Sequence, residues 1–329
     1  MAILVTGAAG FVGLNVTEAL LAAGQAVVAF DALPLPAAAE AAFAALPGRL
    51  LAAEGDIRSA GDLDRAFALA PIAAVLHAAV ITAGPERERA DPETIVAVNL
   101  GGAIAALRAA VRHGAGRFVH TSSGSVYGHP PADGGRYDEA TTWPRPLALY
   151  GITKLAAEQA VLRLAEVNGL SAAAARLGSV FGPWEWATGV RDTLSPMLQA
   201  LDAFERDGEA VLGPVAAVDQ VYSRDVAAGL AALLAVPGAT GVFNLGSGRL
   251  ADAADFCRAV AALRPGFRWR MAAPGVAPNT ITFMPPRTPM AIGRIAAATG
   301  WRPGFTLEQA VADLLAWRVG GWARAGRSG

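Results

Sequence analysis

Short apolar runs alternate with longer stretches of helical periodicity from the first residue to about residue 177. The runs 2–6, 26–30, 49–53, 73–77, 116–121 and 171–176 predict buried strands, because each is short, apolar and bounded by glycine, proline or polar residues. Between them, 12–23, 60–69, 92–113 and Tyr150–Val167 predict helices; in the first, Val16, Leu20 and Leu21 recur on one face. Alternation of this kind predicts an α/β protein, a doubly wound parallel sheet with helices on both faces. Beyond 177 the pattern loosens. Residues 182–218 read as a Trp-rich loop, a helix and a short hairpin-like stretch, and Gly241–Leu245 reads as a late strand of the main sheet. Residues 251–319 predict two or three helices separated by Pro-rich loops, the alanine-rich patch 37–45 can form a helix, and the glycine-bearing tail 320–329 is expected to be mobile.

Composition narrows the class. The chain has 329 residues, enough to bury a large core, and its apolar fraction of 53% is swollen by alanine, which favours helices. No apolar stretch reaches the roughly 18 charge-free residues that a spanning helix needs. The first residues enter a strand with no basic leader, so a cytoplasmic protein is expected, with no membrane partner. A net charge of −1 with no basic stripe gives nucleic-acid binding no support. Cys257 is the single cysteine, which excludes an internal disulfide, and its apolar neighbours make it a core thiol. His77, His113, His120 and His129 form no pair at metal-binding spacing, so no metal site is expected.

The first predicted strand ends in Gly7-Ala8-Ala9-Gly10-Phe11-Val12-Gly13. A glycine-rich turn between strand and helix brings bare N–H groups to a helix N-terminus, a ready site for pyrophosphate. Asp31 closes the second strand, close to the spacing at which an acid accepts the hydroxyls of an adenosine ribose. A carboxylate there opposes a 2′-phosphate, so NAD is favoured over NADP. Tyr150 and Lys154 stand four residues apart and share one helix face. The ammonium lowers the phenol's pKa, and the pair can exchange a proton with a substrate hydroxyl while hydride moves to a nicotinamide. The strand from Arg117 ends in Thr121-Ser122-Ser123-Gly124-Ser125, hydroxyls at the carboxyl edge where open α/β sheets bind ligands.

Together these elements resemble the extended short-chain dehydrogenase/reductase family, also called the NAD-dependent epimerase/dehydratase family, over nearly the whole chain. Thr6 to Gly13 match the opening T-G-x-x-G-F-x-G, Asp56-Ile57 the adenine-contacting pair, His77-Ala78-Ala79 the H-x-A stretch and Asn99 the helix asparagine. Thr121-Ser122-Ser123 match the serine strand, Tyr150 and Lys154 the Y-x-x-x-K. Arg176 to Pro183, Phe243 to Gly248 and Gly300-Trp301-Arg302-Pro303 match later signatures. The resemblance implies a Rossmann-type domain over 1–176, with 219–247 returning to it. It implies a smaller, mostly C-terminal substrate-binding subdomain from 177–218 and 248–319. Ser123, Tyr150 and Lys154 become the catalytic residues. NAD would contact Gly7, Ala9, Gly10, Phe11, Val12, Gly13, Asp31, Asp56, Ile57, Ala78, Ala79, Asn99, Thr121, Tyr150 and Lys154, with Asn99 ordering backbone and water near the lysine. His77 carries no chemistry. A homodimer is expected, because helices near 92–113 and 150–167 pair between subunits in this family.

The reaction is read from departures. Dehydratases of the family add an Asp-Glu pair after the strand threonine, where this chain has Ser122-Ser123. Nucleotide-sugar epimerases carry an asparagine where Ser179 stands, and an arginine ahead of the late tyrosine segment, where Val215 to Val218 offer none. The remaining candidate substrate contacts are Ser125, Ser179, Trp184, Arg191 and Arg287; an arginine facing the nicotinamide would suit a carboxylate. Trp184 and Trp186 wall a small pocket in one reading and pack as core or lid in the other. Arg224 is open to a structural ion pair. The expectation is an NAD-dependent dehydrogenase oxidising a secondary hydroxyl of a small polar metabolite, such as a sugar, sugar acid or hydroxy acid. The alternatives are a sugar or nucleotide-sugar epimerase with retained NAD, and a non-catalytic NAD-sensing regulator.

Overall fold

The computed structural model describes residues 1–186, 194–214, 216–280 and 286–320. Its strands are β1 (Ala2–Thr6), β2 (Ala26–Asp31), β3 (Arg49–Glu54), β4 (Ile72–His77), β5 (Arg117–Ser123), β6 (Ser171–Leu177), β7 (Ser179–Phe181), β8 (Ala210–Leu212), β9 (Val218–Tyr222), β10 (Gly241–Leu245), β11 (Leu250–Ala251) and β12 (Trp269–Met271). Seven of them form one sheet in the order β10-β6-β5-β4-β1-β2-β3, every pair parallel. The predicted strands thus fall within a residue or two of their places, and Gly241–Leu245 joins the main sheet as its edge.

The helices are α1 (Phe11–Ala22), α2 (Ala37–Phe43), α3 (Ala60–Ala68), α4 (Pro85–Ala90), α5 (Pro92–Val96), α6 (Ala103–Arg112), α7 (Leu149–Val167), α8 (Pro196–Asp207), α9 (Ser223–Ala235), α10 (Ala253–Leu263), α11 (Gly293–Thr299) and α12 (Leu307–Val319). One face of the sheet packs against α1, α2 and α9 through Leu14, Leu21, Ala39, Phe43, Leu230 and Leu233. The other packs against α3, α6 and α7 through Leu63, Phe67, Leu107, Ala110, Ala157 and Val161. Burial on both faces is why the strands read as unbroken apolar runs. In β6, Ala172 to Ala175 are all buried. Alanine has little strand preference of its own. The strand therefore owes its form to the sheet on either side, and its small side chains let the flanking helices sit close.

The predicted helix 92–113 is α5 and α6 joined by a π-turn at Ala97–Gly102, the place where Asn99 projects. By length and composition Pro92–Arg112 is apolar enough to span a bilayer. Its Ile95, Ala103, Ala106, Leu107 and Ala110 are buried, so its apolar character serves the core.

The hairpin-like stretch before residue 218 is not a hairpin. β8 pairs in parallel with the distant β12, and β7 pairs in parallel with β9, which also carries β11. Strand pairing over so long a separation leaves no local turn signal. These small sheets enclose a second core with α8, α10 and α12, built on Phe181, Leu201, Phe256, Val260 and Val311. Cys257 is buried there, and burial pushes its thiol up to about 12, as expected of a core residue. The tail from 321 onward lies outside the described residues.

Candidate active site

All strands of the main sheet point their carboxyl ends to one edge, and a cleft of about 1090 Å3 runs along it. At one end lie Asp31, Asp56, Ile57 and Arg58; at the middle Gly7, Gly10, Phe11, Val12 and Gly13; at the far end Ser123, Tyr150, Lys154, Gly178 and Trp186. The glycines are demanded by closeness. Gly7 has φ +70, and a Cβ on it would press on the Ala78–Ala79 backbone; one on Gly13 would collide with the Gly7 carbonyl. α1 therefore starts hard against the turn. No side chain caps it and its first turn holds no acid, so its N-terminal dipole faces the cleft uncancelled.

Asp31 stands at the rim of this turn. Its carboxylate accepts hydrogen bonds from Ala9 N at 3.0 Å and Leu33 N at 3.1 Å, and burial raises its pKa. Asp56 is bound by Arg58, which holds its carboxyl below the usual range. A pyrophosphate cradle, an acid at ribose distance and a wall of apolar Leu33, Leu35 and Ile57 are the parts an adenine dinucleotide needs, and all line the same cleft.

The reactive end is built by two elements. β5 delivers Ser123, whose Oγ accepts hydrogen bonds from Ser125 N at 3.2 Å and Ser125 Oγ at 2.9 Å. α7 delivers Tyr150 and Lys154 one turn apart. Lys154 is only 2% exposed, and burial pushes it down to about 7, with Glu158 acting in the opposite sense. Thr121 lines the cleft and donates to the His77 carbonyl at 3.1 Å. Asn99 is spent elsewhere. It accepts from Ile81 N at 2.8 Å and donates to Ile81 O and Thr153 Oγ1, both at 3.1 Å. It does not line the cleft, so it acts on the cofactor site by bracing α7 beside Lys154.

The other candidates fall unevenly. Trp184 is buried at 1% between Phe43, Trp186 and Trp317, and its Nε1 donates to Glu18 at 2.7 Å. Of the two readings open for the tryptophans, core packing holds for Trp184, while Trp186 lines the cleft. Ser179 lies between the cleft-lining Gly178 and Val180 and so points to the other face of its strand. Arg287 lies beside Gly124, next to Ser123. Arg191 lies outside the described residues. Arg224 is a structural ion pair with Asp313 at 2.8 Å.

Sequence reasoning missed the support behind the lysine. Glu158, fully buried, accepts from Ser122 Oγ at 2.7 Å and from Arg176 Nε and Nη2 at 2.9 and 2.6 Å. The Arg176 guanidinium also lies 4.7 Å over the Tyr127 ring. The signal was a glutamate four residues after Lys154, on the same helix face. His77 and His120 stack at 5.4 Å, and the Lys154 charge acts on both rings. Burial holds His77 down to about 3 and His120 well below its usual value. Asn15 was missed as well; it ties α1 to Pro183 O at 2.8 Å and accepts from Ser223 Oγ at 2.8 Å.

A doubly wound sheet, a glycine cradle and a Ser–Tyr–Lys set at one edge define a dinucleotide-dependent protein of the short-chain dehydrogenase type. The family model described as NAD dependent epimerase/dehydratase family matches residues 3–246, and the chain belongs to that family. Its cofactor is NAD. UDP-glucuronate 4-epimerase 3 of Arabidopsis thaliana is 32% identical over 188 residues, 55% of this chain and 43% of that protein, so the chain covers less than half the length of that relative. dTDP-L-rhamnose 4-epimerase of Burkholderia thailandensis is 26% identical across 96% of this chain and 94% of its own. The solved structure of MoeE5 in complex with UDP-glucuronic acid and NAD superposes with a TM-score of 0.78 at 25% identity, covering 98% of this chain and 100% of that one.

Proposed function

We propose that the chain is an NAD-dependent sugar epimerase that oxidises a secondary hydroxyl and returns the hydride to the opposite face. The observation that carries this reading is the convergence of Ser123, Tyr150 and Lys154 at one end of the NAD cleft. Tyr150 takes the hydroxyl proton, Ser123 donates a hydrogen bond to the substrate oxygen, and Lys154 stabilises the phenolate and holds the nicotinamide ribose. NAD held in this cleft would supply the reversible hydride acceptor. Gly7 to Gly13 and the start of α1 hold the pyrophosphate, and Asp31 the adenosine ribose.

The relatives support one outcome over the other. Two named here are 4-epimerases, which supports return of the hydride better than the net dehydrogenation expected from the sequence. Net oxidation of a small sugar acid keeps one observation in its favour. The segment 216–222 that leads through β9 to Tyr222 holds no arginine, the residue that the resemblance implies would hold a nucleotide diphosphate there. A cytoplasmic homodimer belongs to the same proposal. Val96 and Ile152 are exposed on α5 and α7, a surface a second copy can cover, and light scattering tests it.

The test is Tyr150→Phe in the NAD-loaded protein, with UDP-glucuronate and UDP-glucose as probes. Turnover should fall by about 100-fold or more, the scale of general acid–base catalysis, while NAD affinity changes little. Retention of most of the activity would remove Tyr150 as the base.

A further inference from the structure

We infer that Arg287 recognises a carboxylate on the substrate at the reacting end of the cleft. This rests on the proposed sugar chemistry and adds the class of sugar, an acidic one.

Position comes first. Gly124 directly follows Ser123, and a Cβ on it would lie 3.5 Å from Arg287 Nη1. The Tyr150 and Tyr137 phenols are the titratable groups that act on the guanidinium. Arg287 thus lies beside the end of β5, next to Ser123 and just behind the residues that line the cleft, rather than at the adenine end.

The segment carrying it is pinned. Tyr137 N donates to Pro289 O at 3.0 Å and Ala291 N to Tyr137 O at 2.8 Å. Thr288 Oγ1 donates to Gly135 O at 2.6 Å, and Met290 N to Asp219 Oδ2 at 2.9 Å. A side chain on so restrained a backbone has little ordering left to lose on binding.

The guanidinium is also unspent. Arg117 is satisfied by Leu233 O, Ala239 O, Pro237 O and Ser171 Oγ, and Arg176, although its Nη1 lacks a hydrogen-bond partner, has the Glu158 carboxylate as counter-charge. Arg287 pairs with no carboxylate among the described residues, and its Nε is buried with no hydrogen-bond partner. Asp219, the acid that holds its segment, is committed to Ser247 N, Ser247 Oγ, Gly248 N and Met290 N. Arg287 is half-buried with its Nε out of reach of water, and a ligand carboxylate would supply the missing counter-charge and two parallel hydrogen bonds. A phosphate offers related chemistry. The site beside Ser123 and Tyr150 is where the reacting ring must lie, which favours a carboxylate on that ring.

The test uses NAD-loaded wild type, Arg287→Lys and Arg287→Met. Calorimetry measures binding of UDP-glucuronate, UDP-glucose, glucuronate, glucose and UDP, and turnover is followed in parallel. The wild type should bind the acid of a pair more tightly than its neutral partner. Arg287→Met should lose about 100-fold for the acid and little for the neutral sugar, with Arg287→Lys between them. NAD binding should be unchanged in both variants, which controls for folding. Equal loss for acid and neutral, loss for UDP as large as for UDP-glucuronate, or no binding of any acid would overturn the inference. Turnover without acid preference leaves the epimerase reading standing and removes this one. Acid binding through Arg287 without turnover does the reverse.

Discussion

Glu158→Gln is the substitution whose consequences the structure fixes most closely. The carboxylate is fully buried and is the only charged partner of Arg176 among the described residues; the ion pair closes at 2.6 Å with both side chains at 3% exposure or less. Arg176 Nη1 already lacks a hydrogen-bond partner. A neutral amide would leave the guanidinium buried without its counter-charge, a loss of about 3–5 kcal/mol. For a chain of this size that is a fall in Tm of roughly 5–15 °C, read by differential scanning calorimetry. A second effect follows from Glu158 being the group that holds Lys154 up against burial. Without it the lysine, already pushed down to about 7, loses its proton at neutral pH. Turnover at pH 7 should then fall further than the lost stability explains. Arg176→Gln added to Glu158→Gln should recover much of the stability, since no cation is stranded, but not restore the activity. A Tm shift under about 2 °C for Glu158→Gln would refute the reasoning, because a buried pair cannot be broken so cheaply.

Two further outcomes are expected. His77 and His120 are bases whose folded pKa values lie below the unfolded one, so the unfolded chain takes their protons first. Their contribution is intact above about pH 6.5 and is lost as pH falls, at up to about 1.4 kcal/mol per unit for each; His120→Phe should flatten the slope in urea melts between pH 7.5 and 5, and an unchanged slope would contradict this. Asp31→Ala should narrow the preference for NAD over NADP by about tenfold or more, because it removes the charge that opposes a 2′-phosphate; calorimetry showing an unchanged ratio would contradict the assignment.

The main sheet was legible because its inner strands are buried on both faces and carry that in their composition; the edge strand β3, with no buried residue, was legible from its short apolar run and its place in the alternation. That Ser123, Tyr150 and Lys154 would line one cleft was legible because Tyr150 and Lys154 sit one helical turn apart, and Ser123 at the end of a strand with hydroxyls. What stayed hidden depends on contacts distant in sequence. β8 finds β12 across more than fifty residues, with no turn to announce it. Trp184 and Trp186 are two residues apart and look equivalent, and both are buried in one core, yet only Trp186 also lines the cleft; Trp184 itself has a φ of +64, which nothing in the sequence announces. Asn99 was readable as support for the lysine but not as a brace, because the π-turn that aims it at Ile81 and Thr153 leaves no mark in the periodicity.

In the proposed reaction hydride leaves the sugar and returns to it. The direct measurement follows the NAD-loaded chain with UDP-glucuronate by proton NMR and by absorbance of the reduced cofactor at the same time. An epimer of the sugar should accumulate over many turnovers while reduced cofactor never exceeds one equivalent per chain. Reduced cofactor rising through many equivalents, with an oxidised sugar as the product, would contradict it.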